Sequence, residues 1–270
     1  MTRAIERSAR ARDRAATRVT GHRGARGLWP ENSLEGFRQV TALDVDAVEF
    51  DVHRSDAGEL LVLHDPLVER TTDGSGPVRR LTPDDRRRLR LRSSSETVPT
   101  LAEVLEVLTT STADLHVEIK NDETGSPYPG LVAEVVAELD RRDLRARCHL
   151  ASFDLAVLDD CRRLAPDIRR LVSVDAAWLD RQGGPHCFLE RAEELADVVA
   201  VHHAVLDEHW QSFTGRLPLD RICVWTVNDE DEIRAWFERG VGHLTTDRPD
   251  VALQVRDGRP ASPSDGWTAT

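Results

Sequence analysis

A short β-branched run followed by an amphipathic segment recurs along nearly the whole chain, and few folds accommodate that pattern. Alternation of this kind argues for an α/β fold on a parallel sheet. The runs fall at 18–21, 47–52, 114–120, 147–152, 169–174, 197–202, 221–227 and 243–246, which makes eight. A further run at 60–64 is read as pairing beside the second strand or extending it. Eight strand–helix units in 270 residues predict a single (β/α)8 TIM barrel, a fold that takes about 250 residues.

The intervening segments carry helix punctuation. Thr100-Leu101-Ala102-Glu103 is a capping box ahead of an apolar-periodic run to Leu108. Thr82-Pro83-Asp84-Asp85 places a cap, a first-turn proline and two acids at another helix start. Segments 33–43, 129–142, 154–165 and 229–239 read as amphipathic helices. The stretch 66–98, rich in Thr, Gly, Ser and Arg, is too long for a plain loop and is read as a small insertion after the second strand, over one barrel face. The barrel is expected over 19–255, with an extension at 1–18 and a disordered tail at 256–270.

The formal net charge of −12 matches the chain poorly to nucleic acid or to an anionic membrane surface. No window approaches a membrane-spanning apolar run, and the Arg- and Ala-rich start has no apolar core of a secretory signal. Cysteines 148, 161, 187 and 223 form no CxxC pair and are read as buried free thiols, consistent with a cytoplasmic location. The basic residues are almost all arginine, and Lys120 is the only lysine.

The chemistry concentrates where parity is clearest. Residues two apart on a strand share a face, so Glu49 and Asp51 point together, away from Val48, Phe50 and Val52. The next barrel strand repeats the pattern, with His116, Glu118 and Lys120 alternating with Leu115, Val117 and Ile119. A lone inward acid reads best as an ion pair with an arginine. Three acids at strand ends repel one another and resist desolvation, which one divalent cation relieves. All-oxygen ligands favour Mg2+ or Ca2+. His22 and His64 each end a strand, where two imidazoles can act as general acid and general base on a phosphorus centre. Arg23 and Lys120 can neutralise non-bridging phosphate oxygens beside the cation.

The segments GHRGARGLWPENSLEGF, VEFDVHRSDAGELLVLHDPLVERTTDGSG, VPTLAEVLEVL, VEIK, VWTVN and TTDRPD occur in an order that resembles the glycerophosphodiester phosphodiesterase family from about residue 19 to 252. The resemblance implies His22 and His64 as the catalytic pair, and Glu49, Asp51 and Glu118 as metal ligands. It implies that Arg23 and Lys120 touch the phosphate and that Trp225 lies near the substrate. It further implies cleavage of a small glycerophosphodiester to glycerol 3-phosphate and an alcohol through a cyclic phosphate. Cleavage of a lipid headgroup in the manner of a lysophospholipase D or sphingomyelinase D, and a non-catalytic binding barrel, are the alternatives. No oligomeric state is implied.

Several other residues read as supporting ones. His53 shares the acid face but suits a supporting or surface role, and His116 sits deeper as packing. His202 or His203 is a weaker candidate for the pocket wall, and Glu31 and Asn32 suit a structural turn as well as a substrate contact. Trp29, Trp178 and Trp210 are read as either lid or core.

Overall fold

A computed structural model describes residues 17–258. Eight parallel strands close into a barrel: β1 (Arg18–Gly21), β2 (Ala47–Arg54), β4 (Asp114–Ile119), β5 (Cys148–Ser152), β6 (Arg169–Val174), β7 (Val198–His202), β8 (Ile222–Trp225) and β9 (His243–Thr246). Closure is made by β1, which pairs with β9 on one side and with β2 on the other. The expected TIM barrel is therefore the fold. β3 (Leu60–Val62) lies outside the ring and pairs antiparallel with the far end of β2, Val52 opposite Val62.

Helices α1 (Leu34–Ala42), α3 (Leu101–Leu108), α4 (Leu131–Asp140), α5 (Leu155–Leu164) and α10 (Glu230–Arg239) occupy the segments whose periodicity marks them. The capping box at Thr100 and Glu103 is formed, each side chain bonding the other residue's backbone N–H. α2 (Pro83–Arg88) carries the same reciprocal bonds between Thr82 and Asp85. Helices α6 (Ala176–Arg181), α7 (Pro185–Leu195), α8 (His203–Glu208), α9 (Trp210–Thr214) and α11 (Pro249–Arg256) are not marked by that pattern. Three of these have six residues or fewer, so their apolar positions never complete a repeat.

The outward faces of the strands meet the helices in two large apolar clusters. In one, the rings of Phe37 on α1 and Phe50 on β2 meet edge to face at 5.7 Å, both fully buried. Emptying such a site by Phe→Ala costs about 3–5 kcal/mol. Residues between β3 and α3 close over a small core of their own, including Leu63, Val68, Val78 and Leu91. The segment 66–98 is thus packed structure around α2 and not a bare loop.

Inside the barrel the two halves differ. β2 and β4 present acids, with Asp51 in register with Glu118. β5 to β8 present Ala151, Leu171, Val198, Ala200 and Cys223. Three of the four cysteines are buried free thiols, whereas Cys187 is exposed. It lies on the first turn of α7, whose buried positions are Phe188, Leu189, Ala192 and Leu195, so its side chain falls off the packed face.

α11 ends at Arg256, which pairs with Asp46, so residue 256 belongs to the packed fold; the rest of the expected tail from 259 on and the extension 1–16 lie outside the described residues. Among the described residues no helix is long and apolar enough to cross a membrane.

Candidate active site

The chain leaves β1 through His22-Arg23-Gly24-Ala25, in which Arg23, Gly24 and Ala25 all have positive φ. Non-glycine residues adopt that region only when their surroundings enforce it. Here the turn aims the Arg23 N–H at Glu49 Oε2, 3.0 Å away, and seats Gly24 where an added Cβ would crowd the Phe37 ring at 3.2 Å.

His22 Nδ1 lies 2.6 Å from Asp247 Oδ1. A carboxylate can only accept, so Nδ1 carries the proton and Nε2 is left facing Glu49 Oε2 at 3.8 Å. Burial is the main influence on His22 and lowers its pKa; the Asp247 bond opposes this, and Arg23 assists it. Asp247, just past β9, also accepts from Arg26 at 2.8 Å and from Asn228 at 2.9 Å. Burial would raise its pKa, but His22 and Arg26 outweigh burial and hold the carboxyl well below the usual range.

His64 is arranged in the same way. Its Nδ1 meets Asp65 Oδ1 at 2.6 Å, and Asp65 is in turn bonded by Arg70. The His64 carbonyl is 3.1 Å from Nε2 of His53, whose Nδ1 meets the Tyr128 hydroxyl at 3.0 Å. His53 is fully buried, and burial depresses its pKa to about 4. It therefore serves as a neutral brace under the His64 backbone and lies away from the surface.

One oxygen each from Glu49, Asp51 and Glu118 lies within 4.8 Å of the others. Lys120 Nζ contacts Glu118 at 2.6 Å and Asp51 at 3.3 Å, and Arg23 Nε is 3.4 Å from Asp51. Asn32 donates to Asp51 Oδ2 at 2.9 Å, so the Pro-Glu-Asn turn works structurally, and Glu31 ties Arg23 to Arg70. Even so, Glu49 Oε1 and Asp51 Oδ1 are buried without a hydrogen-bond partner. Burial, with the charges of Asp51 and Glu118, pushes the Glu49 pKa well up. Burial would also raise Asp51, but Lys120, His64, Arg23 and the Asn32 bond outweigh it and hold that carboxyl well down. Orphaned carboxylate oxygens converging on one point fit a hard divalent cation.

Around these residues lies a cavity of about 290 Å3, walled by His22, Arg23, Glu49, His64, Glu118 and Trp225. All but Asp51 and Lys120 of the residues expected at the site line it directly, and those two are joined to the acid cluster. The Trp225–Thr226 peptide is cis. His116 forms part of the floor, below Glu118 on β4, and meets the His149 ring at 4.9 Å. His202 packs edge-on against Trp225 at 5.2 Å and is not on the wall. Trp29 and Trp210 pack on the outer core, whereas Trp178 lines a second cavity beside the first. The residues missed in sequence are Asp247, Asp65 and Asp175. The signal for Asp65 and Asp247 was their place in the HD and TTDRPD motifs; Asp175 had only its position at a strand end.

The model of the glycerophosphoryl diester phosphodiesterase family matches residues 22–251. The chain belongs to this family. Membership makes it an enzyme, a phosphoric diester hydrolase. A glycerophosphodiester phosphodiesterase of Caldanaerobacter subterraneus is 30% identical over 88% of the chain and 97% of its own length. One of Bacillus altitudinis is 28% identical over 89% and 98%. Among solved structures, a putative glycerophosphoryl diester phosphodiesterase of Agrobacterium tumefaciens superposes with a TM-score of 0.80 at 27% identity, covering 90% of this chain and 98% of that one. An Oleispira antarctica phosphodiesterase, solved with its product sn-glycerol-3-phosphate, superposes with a TM-score of 0.74 at 25% identity, over 90% and 97%.

Proposed function

We propose that this enzyme hydrolyses a small glycerophosphodiester to glycerol 3-phosphate and an alcohol, with His22 and His64 as its acid–base pair. One observation carries the reading. Two imidazoles, each with Nδ1 held by a carboxylate and with no hydrogen bond at Nε2 among the described residues, line the cavity that also holds the acid cluster. The product seen in the Oleispira antarctica relative supports glycerol 3-phosphate as the phosphate half.

Glu49, Asp51 and Glu118 would hold one divalent cation, Mg2+ or Ca2+. When bound, such an ion supplies positive charge against the non-bridging phosphate oxygens and acidifies a coordinated hydroxyl. Arg23 and Lys120 add charge at the same place, which stabilises charge building on the phosphate. One imidazole takes the proton of a glycerol hydroxyl as its oxygen bonds to phosphorus. The other donates a proton to the alcohol oxygen as its bond to phosphorus breaks, leaving a cyclic phosphate. The exchange runs in reverse when water opens the ring. Trp225 forms the wall against which the substrate lies.

The test is release of glycerol 3-phosphate from glycerophosphocholine and glycerophosphoethanolamine, with EDTA, Mg2+, Ca2+ or Mn2+, beside His22→Ala and Glu49→Ala. Metal-dependent release lost in both variants is expected. Choline released only from lysophosphatidylcholine would instead establish lipid headgroup cleavage. A folded protein inactive with every ion would refute the reading for these substrates.

A further inference from the structure

A second cavity, also about 290 Å3, adjoins the first and shares His64, Glu118, Phe153 and Asp175 with it. Phosphorus attacked beside the acid cluster therefore has two places for its two arms. The first cavity ends on small apolar residues, Ala151, Ala200 and Cys223 among them. The second runs from His64 past Phe153 to Trp178, and its chemistry is different.

Phe153 is the hinge of an aromatic corner, with its centroid 5.6 Å from Trp225 and 6.1 Å from Trp178. Asp154 and Asp175 stand in the same wall. Each caps a helix: Asp154 Oδ1 accepts from the Ala156 N–H and Asp175 Oδ1 from the Trp178 N–H. Neither has an ion-pair partner among the described residues. The cation in this wall, Lys120, is balanced by Glu118 and Asp51 and stands 6.0 Å from the Phe153 centroid. The charge left over in this cavity is thus carboxylate, set beside π faces. That combination attracts an alkylammonium group and offers little to a neutral or anionic one.

Building on the hydrolysis proposed above, we propose that the second cavity receives the leaving alcohol and selects one that carries an ammonium group. Phe153, Trp178 and Asp175 determine that specificity. The phosphate then sits beside His64 and the acid cluster, where the two cavities join, and glycerol enters the first.

The test compares glycerophosphocholine with its uncharged isostere, the 3,3-dimethylbutyl ester of glycerol 3-phosphate, in which carbon replaces nitrogen. A desolvated cation–π contact of about 1–2 kcal/mol corresponds to a preference of roughly 5- to 30-fold. The wild type should prefer the choline ester in kcat/KM by such a factor. Asp175→Asn keeps a capping side chain on α6 while removing the charge, and Trp178→Leu removes the ring; both should bring the ratio towards one. The ratio is internal to each variant, so partial misfolding cancels from it. In parallel, intrinsic tryptophan fluorescence is titrated with choline and with 3,3-dimethylbutan-1-ol. Choline binding that is preferred, and that Asp175→Asn weakens several-fold, supports the subsite even if neither ester is cleaved, in which case the hydrolysis reading fails alone. Cleavage of both esters at equal kcat/KM, or equal binding of the two alcohols, overturns the subsite and leaves the hydrolysis reading intact.

Discussion

Asp247 and His22 stand 225 residues apart in sequence and 2.6 Å apart in space, at the seam where the last barrel strand meets the first. The bond fixes the imidazole tautomer, and it joins a proposed acid–base group to a residue whose own charge is secured by Arg26. Asp247→Asn could satisfy the same position with its amide donating to Nδ1, which would move the ring proton to Nε2. We expect kcat for glycerol 3-phosphate release to fall roughly 100-fold, the scale of a general acid–base contribution. The melting temperature should move far less than the rate. An unchanged kcat in this variant would remove Asp247 from any role in orienting His22.

Glu49 should behave as a residue kept for function at a cost in stability. Its carboxyl has a pKa raised by burial and by Asp51 and Glu118, so the folded state holds its proton more tightly than the unfolded chain does. The destabilisation therefore appears as pH rises through the folded pKa. In EDTA at pH 8, Glu49→Gln should melt a few degrees higher than the wild type, and the gain should shrink at pH 5. Added Mg2+ or Ca2+ should raise the wild-type melting temperature, by about 2.7 kcal/mol of stabilisation at 100 times Kd, and should leave the variant nearly unmoved. Equal metal-induced shifts in both proteins would place the cation elsewhere.

Lys120 tests whether charge alone suffices between two acids. Its ammonium reaches Glu118 and Asp51 from a partly buried position, and its pKa is raised: desolvation opposes the shift, but those two carboxylates outweigh it. A guanidinium is planar, larger and less able to act as a compact point charge. Lys120→Arg should lose activity by at least about 100-fold, comparable to removing one donor from a charge-stabilising site. Wild-type activity in Lys120→Arg, measured as kcat/KM, would sink the argument from the chain's one lysine.

Acid should destabilise the barrel through its lower imidazole layer. His116 packs 4.9 Å from His149 and 6.4 Å from His243. Burial first, then nearby cations, depresses His149 to about 3; burial and Arg18 bring His243 to about 4; His116 is also well below its usual value. The unfolded chain takes up these protons near pH 6.5 and the folded one does not, so stability is full above about 6.5 and is lost as pH falls towards 4. Each ring that stays neutral should cost about 2 kcal/mol between pH 7 and pH 5. His149→Gln should flatten the dependence of the urea midpoint over that window, and an identical slope in the variant would contradict the assignment.

The pattern of what could be read in sequence follows from range. Glu49, Asp51 and Glu118 were visible because strand parity is a two-residue rule, and the capping box at Thr100 and the helix cap at Thr82 because they too are local rules. The partners that complete the site obey no local rule. Asp247 reaches His22 only through barrel closure, and Phe153, Asp175 and Trp178 meet only because β5 and β6 are neighbours in the ring. His53 looked like a third residue of the acid face, and by parity it is. The run at 60–64 reads as pairing beside the second strand, and it does; what could not be read was the antiparallel register that brings the His64 carbonyl to the His53 ring.

Because β9 supplies the neighbour of β1, a ribosome must deliver the chain through Asp247 before His22 has its aspartate. An emerging polypeptide can carry both histidines and all three acids, with His64 already beside Asp65, and still leave His22 without its carboxylate. The tautomer of His22 is thus a property of the closed ring: it is set only when β9 docks against β1.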